Sequence, residues 1–151
     1  MALKQQIDQD IKRAMLAGEK TLVTTLRGLK STILYAEVAK GLRDTGLPDN
    51  EIIELLAKEA KKRQESADLY RQGGSEEKAQ AELSEKKVIE AYLPAQLSEA
   101  EVDSIVDITI QQVGATSPAQ MGQVIGAVRA KTGPTADGAL IARLVKEKLS
   151  A

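Results

Sequence analysis

The sequence predicts an all-α fold. Apolar residues recur at steps of three and four, as in Leu3, Ile7, Ile11 and Ala14, which places them on one face of a helix. No segment alternates apolar and polar residues over the length that a half-buried strand needs. Glycine or proline stands at the end of most periodic segments, where helices commonly stop.

The first half of the chain reads as a helical hairpin followed by further helices. A first helix is expected to end near Gly18 and a second near Gly41, and a short turn joins them. Asp49 is a candidate N-cap for a third helix that runs to Gly73. Ser75 is a candidate cap for a fourth.

Pro94 is the best candidate for a domain boundary, because the residue before a proline is pushed out of helical geometry. We therefore expect an N-terminal domain of about four helices over residues 1–93. The C-terminal domain, residues 97–151, is expected to be a three-helix bundle. Its first helix shows a capping box, Ser98 with Glu101, and ends at Gly114. The next starts at Pro118, and the last starts around Thr135.

The amino-acid composition excludes many kinds of catalytic and metal-binding site. The chain of 151 residues has neither cysteine nor histidine, so the usual zinc sites, disulfides, thiol nucleophiles and histidine bases are excluded. With 22 acidic and 21 basic residues, neighbouring carboxylates arise by chance, and none sits in an apolar run that would shift its pKa. We expect no catalytic residue, no metal site and no cofactor.

Charge and hydropathy bound the location and the partners. The N-terminus is polar, and no segment approaches the apolar length of a membrane span, so we expect a cytoplasmic protein that does not bind membranes. A net charge of -1 gives no broad attraction to nucleic acid, so such binding would need a local patch. Because phenylalanine and tryptophan are absent, stacking of single-stranded RNA on aromatic side chains is disfavoured.

Two glycines inside the sixth predicted helix need an explanation. Gly122 and Gly126 are four residues apart and share one side of a helix expected from Pro118 to about Lys131. Each costs roughly 1 kcal/mol relative to alanine. Together they form a notch without side chains, which either another helix or the backbone of a ligand, such as phosphate or ribose, could enter. The residues leave both alternatives open.

The turn that follows the notch carries an anion-binding pattern. Residues 133–138 open the last helix, and the unpaired N–H groups of a helix start attract anions. Asp137 lies in that first turn and competes with any phosphate. From Met121 to the end there are five basic residues against two acidic ones, a local basic patch that shape-directed RNA binding could use.

At these residues the sequence resembles the GatB/YqeY family. The C-terminal pattern of that family is met by three groups of residues: Met121, Gly122, Val124 and Gly126; Gly133, Ala136, Asp137 and Gly138; Val145, Lys146 and Leu149. The segments TLRGLKSTILYAEV, KEAKKRQESADLY and YLPAQLSEAEV resemble its free-standing YqeY type. The sequence departs from the pattern at Gln123, where lysine is usual, at Gln120, where aspartate is common, and at Ile125, where methionine is expected.

The resemblance implies an all-helical protein whose C-terminal part is similar to the tail domain of the B subunit of the Asp-tRNA/Glu-tRNA amidotransferase. That tail contacts tRNA, whereas the chemistry of this glutamine-dependent carbon-nitrogen ligase lies in domains that the present chain lacks. We therefore expect a tRNA-binding or structured-RNA-binding module without catalysis of its own. The alternatives are an accessory component that works with an amidotransferase or synthetase partner, and a protein-interaction module. The candidate RNA-binding residues are Gly122, Gln123, Gly126, Arg129, Lys131, Gly133, Gly138, Arg143 and Lys146.

Overall fold

A computed structural model describes residues 2–151 and confirms the all-α prediction. This part of the chain contains no strand. It divides into two compact units, one ending at Leu93 and the other spanning Pro94–Ala151. The seven α-helices are α1 (Leu3–Leu16), α2 (Lys20–Ala39), α3 (Asp49–Gln72), α4 (Glu76–Glu90), α5 (Glu99–Val113), α6 (Met121–Thr132) and α7 (Gly138–Leu149).

The N-terminal unit pairs α1 with α2 and α3 with α4. Its core consists of branched aliphatic side chains that recur at helical spacing, and the largest fully buried ones are Ile7, Leu26, Leu29, Ile33, Ile52, Leu56 and Ile89. Arg63 of α3 adds a polar link at the surface, because its Nε lies 2.8 Å from a carboxylate oxygen of Glu85 on α4.

Two of the predicted helix caps differ in the structure. Asp49 does not cap α3, since it is already the first helical residue and Pro48 stands at the N-cap position. Its carboxylate instead accepts a hydrogen bond of 3.2 Å from the backbone N–H of Leu3, at the start of α1. Ser75 does precede α4, but its side chain makes no capping hydrogen bond.

The C-terminal unit packs α5, α6 and α7 around a second core of valine, isoleucine and leucine. The capping box is confirmed: Ser98 and Glu101 exchange two side chain–backbone hydrogen bonds of 3.1 Å at the start of α5. At the other end of α5, Gly114 has a φ of 74°, a left-handed conformation that favours glycine and stops the helix.

The starts of α6 and α7 are later than the sequence predicts. Pro118–Gln120 forms a 3-10 turn, and α6 begins at Met121. A second 3-10 turn, Gly133–Thr135, occupies the place where the last helix is expected, and α7 begins at Gly138. A proline at the beginning of each predicted helix therefore marks a tight turn in front of the α-helix rather than its first turn.

The expectation that no carboxylate sits in apolar surroundings that shift its pKa is wrong for Glu37. This side chain of α2 is fully buried and accepts hydrogen bonds from Lys4 Nζ, at 2.8 and 3.1 Å, and from the backbone N–H of Leu47, at 2.9 Å. The bond from Lys4 holds the pKa of the Glu37 carboxyl below its usual value, although burial opposes this. Glu37 thus ties α1 and the loop before α3 to α2.

Replacement of Glu37 should destabilise the N-terminal unit. In Glu37→Ala the buried N–H of Leu47 and the ammonium of Lys4 lose their partner, so we expect a loss of about 2–4 kcal/mol in the free energy of unfolding. Urea denaturation measures this loss. Glu51→Ala is the matched control, because the salt bridge that it removes, with Lys40, is at the surface and should contribute about 1 kcal/mol or less. Equal losses in both variants would contradict this role of Glu37.

The same carboxylate should make stability depend on pH. The folded state favours ionised Glu37, so the unfolded state binds more protons in the window between the lowered pKa and the usual glutamate value. The contribution of Glu37 is complete above that window and is lost as the pH falls through it. Urea denaturation across acidic pH should show a shallower decline for Glu37→Gln than for the unmodified chain. Parallel curves would show that Glu37 does not contribute.

Candidate functional site

The candidate site is the outward side of α6. Val124, Val128 and Thr132, at successive steps of four, are buried in the core of the C-terminal unit. Because a helix advances about 100° per residue, this row fixes which residues turn away from the core. They are Gly122, Gly126 and Ala130, and all three are exposed. We call these three residues the glycine face.

The glycine face is open. A Cβ atom added to Gly122 or Gly126 would meet no other atom of the C-terminal unit within 4 Å. No helix of the C-terminal unit therefore occupies the notch formed by Gly122 and Gly126. The glycines lower helix propensity without allowing closer packing inside the unit. Ala130, which the sequence analysis did not single out, extends the face by one turn, and its spacing of four from Gly126 is the signal that could have identified it.

Arg129 lies beside the glycine face. It follows Gly126 by three residues and Gly122 by seven, which places it on the same side of α6, and it is exposed. Its guanidinium carbon would lie 3.9 Å from a Cβ atom on Gly138, the first residue of α7. Arg129 therefore stands where the end of α6 meets the start of α7.

Lys131 does not belong to this surface. It follows Gly126 by five positions, a rotation of about 140°, so it points away from the glycine face. Its Nζ atom donates to Thr109 Oγ1, at 3.0 Å, and to Gln112 Oε1, both on α5. Lys131 links two helices of the bundle, and the sequence could not reveal this because both acceptors are distant along the chain.

Arg143 is also engaged in the fold. Its guanidinium forms salt bridges with Glu99 at 2.5 Å and with Glu147 at 3.3 Å. The hydrogen bond to Glu99, followed by that to Glu147, raises the pKa of Arg143 above its usual value. Two carboxylates next to one cation give this part of the surface a net negative charge, so Arg143 is a weak candidate for RNA contact.

Lys146 and Gln123 have the exposure that a binding role needs. Lys146 lies on the exposed side of α7, and among residues 2–151 it forms no ion pair. Gln123 is exposed next to Gly122, so it adds an uncharged donor and acceptor at the edge of the glycine face. Arg129 and Lys146 are thus the predicted cations whose charge stays available on this unit.

The turn between α6 and α7 has a different role from the predicted one. Gly133 has a φ of 54° and a ψ of -136°, a conformation that favours glycine, and it ends α6. Asp137 is the N-cap of α7 rather than part of its first turn, and its carboxylate accepts from the N–H of Ala139 at 3.2 Å. A carboxylate therefore already occupies the anion position at this helix start. A Cβ atom on Gly138 would meet the guanidinium of Arg129 at 3.9 Å, so glycine at this position leaves room for that side chain.

The described part of the chain offers neither a metal cluster nor a membrane span. No group of three acidic side chains within residues 2–151 is placed to hold a metal ion. In the same part of the chain, no helix has the length and apolar character needed to cross a membrane.

Comparison with known proteins establishes the family. A family model described as Yqey-like protein matches residues 4–149. The chain belongs to the YqeY-like family. The match confirms the resemblance to the free-standing YqeY type. The matched residues include both helical units.

Fungal relatives match parts of the chain. A protein of Eremothecium gossypii named "Altered inheritance of mitochondria protein 41, mitochondrial" is 35% identical over 89 residues, which are 59% of this chain and 48% of the relative. The protein of that name from Kluyveromyces lactis is 32% identical over 132 residues, 85% of this chain and 70% of the relative. That from Clavispora lusitaniae is 30% identical over 92 residues, 61% and 52% of the two chains. The match thus spans about half the length of two of these relatives.

The expected cytoplasmic location is contradicted by these relatives. All three carry the word mitochondrial in their names, which points to mitochondria rather than to the cytoplasm. The expectation rested on the lack of an apolar leader or span. That feature bears on secretion and membrane insertion, and it does not distinguish the cytoplasm from the interior of an organelle.

The open glycine face predicts an increase in stability on substitution. Gly126→Ala should raise the free energy of unfolding by about 0.5–1 kcal/mol, because alanine favours the helix and its methyl group meets no atom of the unit. Thermal or urea denaturation measures the change. Gly28→Ala is the control, since Gly28 is an exposed glycine inside α2 with the same open surroundings and should gain a similar amount. A loss of stability in Gly126→Ala would show that the face is packed.

Proposed function

We propose that this chain is a helical module that binds structured RNA, with tRNA as the expected partner, and that the glycine face of α6 is the contact surface. The observation that supports the proposal is the exposure of Gly122 and Gly126 next to Arg129. A chain that keeps two open glycines in a helix forgoes stability, and close approach of a ligand to the helix backbone offsets that loss.

The chemistry of the surface suits an RNA backbone. Because it has no side chain larger than a methyl group, the glycine face can admit the ribose and phosphate groups that line the shallow minor groove of an A-form helix. Arg129 provides a forked donor for a phosphate at one edge, and Gln123 provides an amide at the other. Lys146 adds a second cation on α7. Recognition of this kind follows the shape of the RNA and does not require aromatic side chains.

A role in tRNA-dependent amidation is the finer form of this proposal, and it rests on the family resemblance. In that role the chain contributes the tRNA contact, whereas a partner protein contributes the glutaminase and ligase chemistry. A protein-interaction module is the rival, because a partner helix could also pack on small residues. The cations at the edge favour RNA over an apolar helix.

Binding to tRNA should weaken when the face is filled or loses its cation. Gly126→Leu places a side chain in the notch, and Arg129→Gln removes one phosphate contact, so each should lower affinity. For Arg129→Gln, the slope of log K against log salt should fall by about one. Fluorescence anisotropy with labelled tRNA over a salt series measures both effects.

Two matched controls separate this surface from general effects. Gly28→Leu makes the same substitution at an equally open glycine of α2. Lys131→Gln removes a cation two residues from Arg129 that points toward α5. Both controls should leave tRNA affinity nearly unchanged. Absence of binding at low salt, or equal losses in controls and variants, would refute the proposal.

A further inference from the structure

A second basic site lies in the N-terminal unit, in a groove between α1 and α2. The groove has a volume of about 420 Å³ and is lined by Asp8, Ile11 and Lys12 of α1 and by Arg27 and Lys30 of α2. Asp8 precedes Ile11 and Lys12 by three and four positions, and Arg27 precedes Lys30 by three, so the lining residues of each helix share one face. The proposed RNA contact on α6 uses none of these residues.

The charged side chains that line the groove are mainly basic. Three cations surround a single carboxylate, which leaves a net of two positive charges in a chain whose overall charge is -1. Lys30 is the cation that the carboxylate engages, with 2.6 Å between Lys30 Nζ and Asp8 Oδ1.

The other two cations are not neutralised within the described residues 2–151. Arg27 Nη2 lies 3.6 Å from Met15 Sδ, and a thioether is a weak and uncharged acceptor. Lys12 is exposed and forms no ion pair with any residue in this part of the chain. Arg27 and Lys12 therefore reach the same groove from opposite helices with their charges available.

The size and lining of the groove add a second requirement for the ligand. Its volume is larger than a bare inorganic anion needs and lies at the lower end of the range for small-molecule sites, about 300–1,000 Å³. Ile11, which is 8% exposed, provides an apolar element of the lining. A ligand that fits should combine an anion of nearly two charges with an organic group, and a phosphate monoester carries about -1.5 to -2 at neutral pH.

We propose that the α1–α2 groove binds nucleotide phosphate, either the monoester of a free nucleotide or two neighbouring phosphodiesters of an RNA chain, each of which carries one negative charge. Arg27 and Lys12 contact the phosphate, Lys30 remains held by Asp8, and the nucleoside lies against Ile11. This assignment is independent of the glycine face on α6, because it involves a different unit and different cations.

Amide chemical shifts of the full-length ¹⁵N-labelled chain test this proposal, because they report each surface separately. The probes are adenosine 5′-monophosphate, inorganic phosphate, adenosine and a ten-base-pair RNA duplex. Adenosine monophosphate should shift the amides of Lys12, Arg27 and Lys30 in a saturable way and at lower concentration than inorganic phosphate, whereas adenosine should leave them unchanged. If the RNA duplex shifts them and adenosine monophosphate does not, the phosphate comes from an RNA chain.

Three variants make the result specific. Lys12→Gln/Arg27→Gln should weaken binding of the probe by about tenfold or more, whereas Asp8→Asn should tighten it about two- to fivefold by removing the opposing charge. Lys58→Gln/Lys87→Gln removes two exposed cations from α3 and α4 and should have little effect.

Three results would overturn the assignment: no probe shifts these amides, adenosine shifts them as strongly as adenosine monophosphate, or the α3–α4 control loses as much affinity as the groove variant. Because the amides of Gly122 and Gly126 are followed in the same spectra, failure at the groove is distinguishable from failure of RNA binding on α6.

Discussion

The packing of α6 against the core of the C-terminal unit determines what this unit can present to a partner. Val124, Val128 and Thr132 are buried at successive steps of four, and this row leaves α6 no rotational freedom. The helical period then turns Gly122 and Gly126 outward, and no side chain of the unit covers them. A substitution that rotated α6 would bury the glycines and expose the valines. Burial of the core and exposure of the glycine face therefore depend on the same orientation of the helix.

The same core explains why the basic residues differ in their availability. Lys131 faces α5 because α6 is fixed in this rotation, and it donates to two side chains there. Lys148 lies between Asp103, at 3.1 Å, and Asp107, at 2.8 Å, and Arg143 lies between two glutamates. Each of these three cations links its own helix to α5. A count of local charge therefore overstates what is left to attract a phosphate, which is mainly Arg129 and Lys146.

The sequence was sufficient for features that are local in the chain. The repeats of three and four that place Ile7 and Ile11 in the core, the capping box at Ser98 and the stop at Gly114 depend on residues within one or two turns. The sequence was insufficient where a side chain interacts with residues that are distant along the chain. Glu37 is buried because Lys4 and Leu47 reach it, and Asp49 serves the start of α1. The openness of Gly122 and Gly126 likewise depends on what the other helices leave uncovered.

Site-directed crosslinking tests the central claim most directly, because the chain contains no cysteine and a single one can carry the label. Ala130→Cys places a photoreactive maleimide on the glycine face, and Gln111→Cys places it on an exposed position of α5. If the face is the RNA contact, the label at position 130 crosslinks to tRNA and the label at position 111 does not. Crosslinking of equal yield at the two positions, or at position 111 alone, would contradict the account.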